Sequence, residues 1–148
     1  MAFERFTKDA RAAVLAALGE ARSSGQSAVE AEHLLLALAA HPDLHKLGLN
    51  RDELVAALAQ EEERSLAAVG ITAVDFDLPV ARRGNSTPKL ATSAKLALQR
   101  GLTIAVKHGG RRIQARHVLG GVLAAEHGRV PRALQIAGID IDQLRAQI

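Results

Sequence analysis

The sequence predicts an all-α protein, and three observations carry the prediction. Of 148 residues 29 are alanine, only 2% are aromatic, and apolar side chains recur at helical spacing in two stretches that repeat one another. Alanine is the strongest helix former, whereas strands favour aromatic and β-branched residues. From Phe6, the residues Ala10, Val14, Ala17, Leu18 and Ala21 share one helical face, with Thr7 placed as N-cap and Gly25 beyond the end, so a first helix is expected over about 8–24. Ser27 followed three residues later by Glu30 reads as a capping box ahead of Leu34, Leu35 and Leu38, and Pro42 stops that segment; the second helix is expected over about 28–40. A short helical turn fits between Pro42 and Leu49. Asn50 with Glu53 repeats the capping pattern before Leu54, Val55, Leu58, Leu66 and Val69, a long helix closed by Gly70.

Past Gly70 the period breaks. Thr72 to Ala91 holds Pro79, Pro88 and the stretch Arg82-Arg83-Gly84-Asn85-Ser86, and reads as a linker. Then the first half returns: advancing 84 positions carries Phe6 onto Leu90, Ala10 onto Ala94, Val14 onto Leu98, Gly25 onto Gly109, Val29 onto Ile113, His33 onto His117 and Leu35 onto Leu119 without a gap. Gly48, Leu49, Asp52 and Leu54 match Gly138, Ile139, Asp142 and Leu144 at an offset of 90, so the second copy carries six more residues around Gly128 to Gln135. This is an internal duplication. Helices over about 93–108, 114–126, 131–137 and 140–148 complete two four-helix halves expected to pack on each other with pseudo-twofold symmetry.

Composition narrows the function. Without cysteine there is no disulfide framework, thiolate nucleophile or Cys-based zinc site, which is compatible with a reducing compartment, and a cytoplasmic location is expected. The N-terminus has no apolar run of signal-peptide length and no stretch approaches the roughly 18 apolar residues of a spanning helix, so no membrane association is expected. The net charge of +3 conceals an asymmetry: residues 1–75 carry 7 basic and 12 acidic side chains (−5), and residues 76–148 carry 12 and 4 (+8). Such a split fits either an anionic partner for the second half or attraction between two packed halves.

Phe3-Glu4-Arg5-Phe6-Thr7, followed 25 residues after Thr7 by Glu32-His33-Leu34-Leu35-Leu36-Ala37-Leu38, resembles the N-terminal domain of the Clp ATPases, most like that of ClpC. The resemblance implies one Clp N-type domain over 1–148, with repeat one at about 3–71, a linker at about 72–91 and repeat two at about 92–148. It also implies a non-catalytic protein-recognition function in the Clp proteolytic system. The partners it implies are the Clp unfoldase or protease components, client proteins, adaptors and degradation tags. No phosphate-loop motif Gly-x-x-x-x-Gly-Lys-Ser/Thr occurs in the chain, so ATP hydrolysis is not expected of it.

The family's N-domain can hold phosphoarginine through a helix-start Thr and the Glu of the Glu-His pair in each repeat, and the resemblance places these roles on Thr7 and Glu32. A helix N-terminus offers free N–H groups to a phosphate, and a carboxylate can take a two-pronged bond from a guanidinium. The repeat-two equivalents are Ala91 and Arg116, where a cation replaces the needed anion, so one such site is expected rather than two; the bland reading of Thr7 and Glu32 is a cap and a first-turn acid. Arg111, Arg112 and Arg116 are expected to face an acidic partner. Family N-domains also receive cyclic peptide antibiotics between the repeats, which makes Phe3 and Phe6 candidate ligand contacts and a sequestering decoy an alternative function. Against that, Phe3, Phe6 and Leu90 serve equally as staples of helix starts. Weak nucleic-acid binding through the basic half is a further alternative, opposed by the absence of any aromatic after Phe76.

His33 and His117, at equivalent positions, are expected to bond neighbouring backbone rather than a metal. His41 and His45 are separated by Pro42 with no third ligand evident, so no metal and no cofactor are expected. Glu61-Glu62-Glu63 reads as a solvated acidic face. With no converging nucleophile, base and orienting group, the chain is not expected to be an enzyme.

Overall fold

The computed structural model describes residues 3–70 and 88–148. After a 3₁₀ turn at Phe3–Arg5, α1 (Lys8–Ser23) starts on Thr7, whose Oγ1 accepts the Ala10 N–H at 3.2 Å. Repeat one continues with α2 (Ala31–Ala39), α3 (Pro42–His45) and α4 (Arg51–Ala68), the last capped by Asn50 Oδ1 on the Glu53 N–H. Repeat two is α5 (Thr92–Lys107), α6 (Ala115–Leu123), α7 (Arg129–Ile136) and α8 (Ile141–Arg145). All-α is therefore the fold class, and among the described residues no helix is long and apolar enough to cross a membrane.

Two details differ from the sequence reading, for one reason. The second helix begins at Ala31, not at 28, and the Ser27–Glu30 box does not form; Ala28–Val29 is instead a short strand, β1, paired in parallel with Lys89–Leu90, β2. Residues 72–87 of the expected linker lie outside the described residues, but its last part is structured: the Lys89 N–H donates to Ser27 O at 3.2 Å and the Ala91 N–H to Val29 O at 2.9 Å. Two-residue strands carry too little periodicity to be read from a sequence.

This pairing has a twin. Phe6 bridges Ile113 in parallel, the Thr7 N–H donating to Ile113 O at 3.0 Å and the Ile113 N–H to Arg5 O at 2.7 Å. Phe6 and Leu90 are equivalent in the duplication, as are Val29 and Ile113, so each repeat sends its leading segment across to the other. The crossing places α2 and α6 at the centre. Every residue of α2 is buried, including Leu34, Leu35 and Leu38, as befits a helix apolar nearly all round. Phe6, Leu98, Leu119 and Leu134 join them in a core shared by both repeats, each buried side chain stabilising the fold by about 1.5–3 kcal/mol.

Helices α5 and α6 make the closest approach. A Cβ at Gly121 would lie 1.9 Å from the Ala97 carbonyl oxygen, and one at Gly101 would lie 2.9 Å from that of His117. Glycine is what lets these two backbones touch.

Candidate functional site

The crossed topology creates two crevices, each built from both repeats. One, of about 430 Å³, is lined by Thr7, Lys8, Asp9, His41, Gln114 and Arg116 among others. The other, of about 760 Å³, includes Glu30, Glu32, Ser93, Ala125, His127 and Arg129. The duplication relates them: Asp9 and His41 advanced by 84 become Ser93 and Ala125, while Gln114 and Arg116 moved back by 84 become Glu30 and Glu32.

Thr7 and Glu32 consequently line different crevices and are not brought together. The physical reason is the strand exchange, which sets the start of α1 beside the start of α6 rather than beside α2 of its own repeat. Thr7 faces Arg116, and Glu32 faces the α5 start, where Ala91 provides no side-chain cap. In the Thr7 crevice the basic groups are Lys8 and Arg116, the latter exposed with its Nε donating to Gln114 Oε1 at 3.0 Å. Arg111 and Arg112 lie just before Ile113, exposed and in no ion pair among the described residues. In the Glu32 crevice Ser93 ties the repeats together: its Oγ accepts the Ala31 N–H at 2.8 Å and donates to Glu30 Oε2.

Glu32 is 8% exposed and already engaged. Arg129 Nη1 donates to Glu32 Oε2 at 2.9 Å, its Nη2 donates to Leu58 O at 3.2 Å, and its Nε lies 3.3 Å from Glu61 Oε1, an ion-pair contact without hydrogen-bond alignment. Glu62 stands 3.6 Å from the same guanidinium, and Arg132 Nε donates to Glu61 Oε2 at 3.3 Å. Glu61 is 4% exposed, so the reading of 61–63 as a wholly solvated face is corrected: α7 docks on α4 and presses two arginines on it. The acidic first half and basic second half thus attract one another through this contact, which neutralises part of the +8 internally. Arg129 escaped the sequence reading, although its signal was present: it lies in the six-residue excess, which makes α7 eight residues long where its counterpart α3 has four.

Phe6 is 1% exposed in the core and pairs with Ile113, so the staple reading describes its place and it offers no open face to a peptide. Phe3 lies in the 3₁₀ turn, and its side chain is outside the described residues. The two matched histidines do what their position suggested: His33 Nδ1 accepts the Glu30 N–H at 2.9 Å and His117 Nδ1 the Gln114 N–H at 3.0 Å. Burial lowers the pKa of both; for His33 the neighbouring Glu32 and Glu30 partly oppose this, and for His117 the neighbouring Arg116 and His108 add to it. His41 Nδ1 accepts the Asp43 N–H at 3.2 Å and its Nε2 lies 3.5 Å from Asp9 Oδ2.

Residues 5–82 match the family model of the Clp repeat (R) N-terminal domain. The chain belongs to that family. Its fold is that of solved Clp-type N-domains: the N-terminal domain of the caseinolytic protease associated chaperone ClpD from Arabidopsis thaliana is 22% identical with a TM-score of 0.72, covering 99% of this chain and 93% of that one. The Hsp104 N-terminal domain from Candida albicans is 16% identical with a TM-score of 0.65, covering 96% of this chain and 87% of that one. No curated protein sequence matches this Clp N-domain.

Proposed function

We propose that this Clp N-domain is a recognition module of a Clp chaperone and proteolytic system, binding client proteins or their adaptors without catalysing a reaction. The observation that carries the reading is the pair of composite crevices, one on each side of the crossed strands, in a chain of the Clp repeat family. Crevices that need both repeats give a duplicated fold two related docking places whose chemistry can diverge.

The Thr7 crevice takes an acidic group of the partner. Lys8 and Arg116 line it and the start of α1 contributes its positive end, which together outweigh the carboxylates of Asp9 and Asp43 on the same lining, while Arg111 and Arg112 extend the positive surface along the same segment as Arg116. For a phosphoarginine tag the phosphate therefore belongs with Thr7 and Arg116. Glu32 lines the other crevice, so the guanidinium of that same tag is left to Asp9 and Asp43 here. A cyclic-peptide decoy loses support from the burial of Phe6.

Titration of the isotope-labelled domain with phosphoarginine, read on backbone amides, tests this. Shifts are expected around Thr7, Lys8 and Arg116; a response confined to Glu32, or none at millimolar ligand, refutes the anion-reading crevice. Added to a Clp protease degrading an unfolded client, the domain should change the degradation rate, upward for delivery and downward for competition. Arg111→Glu with Arg112→Glu should abolish that effect, and an unchanged rate in every case sinks the recognition reading.

A further inference from the structure

Next to the Glu32 crevice, and sharing only Arg100 and Ala124 with it, lies a further pocket of about 360 Å³ built from repeat two alone. Ile104, Gly120, Ala124 and Ile148 form its apolar part. Arg100 and Arg145 bring two cations to it, and Thr103 and His108 are its other polar groups.

Comparison with repeat one shows what opens this space. Gly120 is equivalent to Leu36, which is buried. A Cβ added at Gly120 would lie 2.8 Å from Ile104 Cδ1 and 3.3 Å from Ile148 Cγ2, so a leucine here would fill the pocket. The charges differ as well. Ile104 stands where repeat one has Glu20, which accepts hydrogen bonds of 2.9 and 2.8 Å from Arg51, whereas Arg100 and Arg145 stand where repeat one has Ala16 and Val55. Repeat two thus has neither the filler nor the acid of repeat one, and has two arginines in addition. Both arginines are exposed, neither makes an ion pair or a side-chain hydrogen bond among the described residues, and no acidic residue lines the pocket.

Uncompensated guanidinium groups beside an apolar floor select a ligand with a carboxylate at one end and hydrocarbon at the other. At about 30 Å³ for each water-sized atom, the volume holds about twelve heavy atoms. We infer that this pocket binds a medium-chain aliphatic monocarboxylate, a free fatty acid of about eight carbons, with its carboxylate on Arg100 and Arg145 and its chain over Gly120 between Ile104 and Ile148. No strand lies at the pocket, so an extended peptide finds no backbone edge to pair with, whereas a hydrocarbon chain needs none. The site is separate from the recognition reading and is tested without it.

The test titrates the full isotope-labelled chain with sodium octanoate, 1-octanol and acetate while backbone amides are followed. Octanoate is expected to shift Ile104, Gly120 and Ile148, with 1-octanol about tenfold weaker for want of the carboxylate and acetate weaker still. Gly120→Leu is expected to abolish the response, and Arg100→Gln combined with Arg145→Gln to weaken it about tenfold. Since both arginines are exposed, the second variant keeps the test decisive should Gly120→Leu fail to fold. No shift at these residues with millimolar octanoate, or an unchanged response in a folded Gly120→Leu protein, overturns the site. Equal affinity for 1-octanol, or no weakening in the double arginine variant, overturns the carboxylate contact, and equal affinity for acetate overturns the hydrocarbon part. Acetyl-glycyl-leucine with a free carboxylate binding more tightly than octanoate overturns the fatty acid as ligand in favour of a peptide terminus.

Discussion

Replacing Gly121 by alanine tests the close packing of α5 on α6 with a single methyl group. The added Cβ would sit 1.9 Å from Ala97 O, 2.7 Å from Gly101 N and 3.0 Å from the Ala97 carbonyl carbon, all of them backbone. Ordinary contact begins at 3.4 Å, so relief needs a local separation of 3.4 − 1.9 = 1.5 Å. No side chain can rotate away to provide it. Overpacking of this kind costs about 1–3 kcal/mol, and moving the helices apart weakens dispersion contacts of the buried Ala94, Leu98, Val118 and Val122, since a gap of about 0.5–1 Å already forfeits a quarter to a half of each contact. Against this, alanine gains up to about 1 kcal/mol in helix propensity. The net expectation is a loss of about 2–4 kcal/mol, seen as a melting temperature lowered by roughly 5–15 °C. Gly19→Ala is the control: Gly19 is exposed in α1 with nothing within 4 Å of an added Cβ, so it should gain stability from propensity alone. Thermal unfolding followed by circular dichroism decides the matter. A Gly121→Ala protein as stable as its parent refutes the close approach.

The two repeats differ in their first caps, so Thr7→Ala should cost about 1 kcal/mol and Ala91→Ser should add about 0.5–1 kcal/mol in urea unfolding, because Thr7 caps α1 by its side chain and Ala91 caps α5 with none. Stability should fall with acidification below the unfolded histidine value of 6.5: His33 and His117 have lowered folded pKa values, the unfolded chain binds more protons, and ∂ΔG/∂pH is positive there. Urea midpoints equal at pH 7.5 and pH 5.5 contradict this, and His33→Asn with His117→Asn should flatten the dependence. The halves 1–76 and 77–148, expressed apart, should each lack a cooperative melt and regain one on mixing, since both strand pairings run between repeats; a cooperative melt of 1–76 alone refutes the interlocked fold.

Helix number, order and most boundaries were legible because Ala-rich apolar periodicity, Asn50 and Thr7 caps and the terminal glycines are local signals. The gapless offset of 84 made the second half readable from the first. What the sequence hid were relations between distant residues. Nothing local at Ala28 or Lys89 announces that two-residue strands meet across 61 positions. The assignment of Thr7 and Glu32 to one site came from the family resemblance, whereas the pairing of Phe6 with Ile113 sets Thr7 in a crevice other than that of Glu32. Glu61 looked like part of a solvated run because burial of one carboxylate among three is decided by the helix that docks there, not by its neighbours in sequence.

The crossing also explains why a duplication can carry two unlike sites. In an uncrossed pair of repeats each crevice would contain the residues of a single copy, and divergence of one copy would alter one crevice only. Here each of these two crevices draws its helix start from one repeat and its facing charged side chain from the other, so each copy contributes to both. Arg116 of repeat two, at the position equivalent to Glu32, therefore acts on the crevice of Thr7 of repeat one, where with Lys8 it balances Asp9 and Asp43. Ala91, equivalent to Thr7, gives the start of α5 no side-chain cap, and on the Glu32 side it is Ser93 of that helix that bonds Glu30 and Ala31 of repeat one. Arg129, delivered by the longer helix that only repeat two has, then fills the anionic side. Part of the charge asymmetry along the sequence is in this way used inside the fold, where Arg129 and Arg132 of the basic half meet Glu32 and Glu61 of the acidic half and join the two repeats.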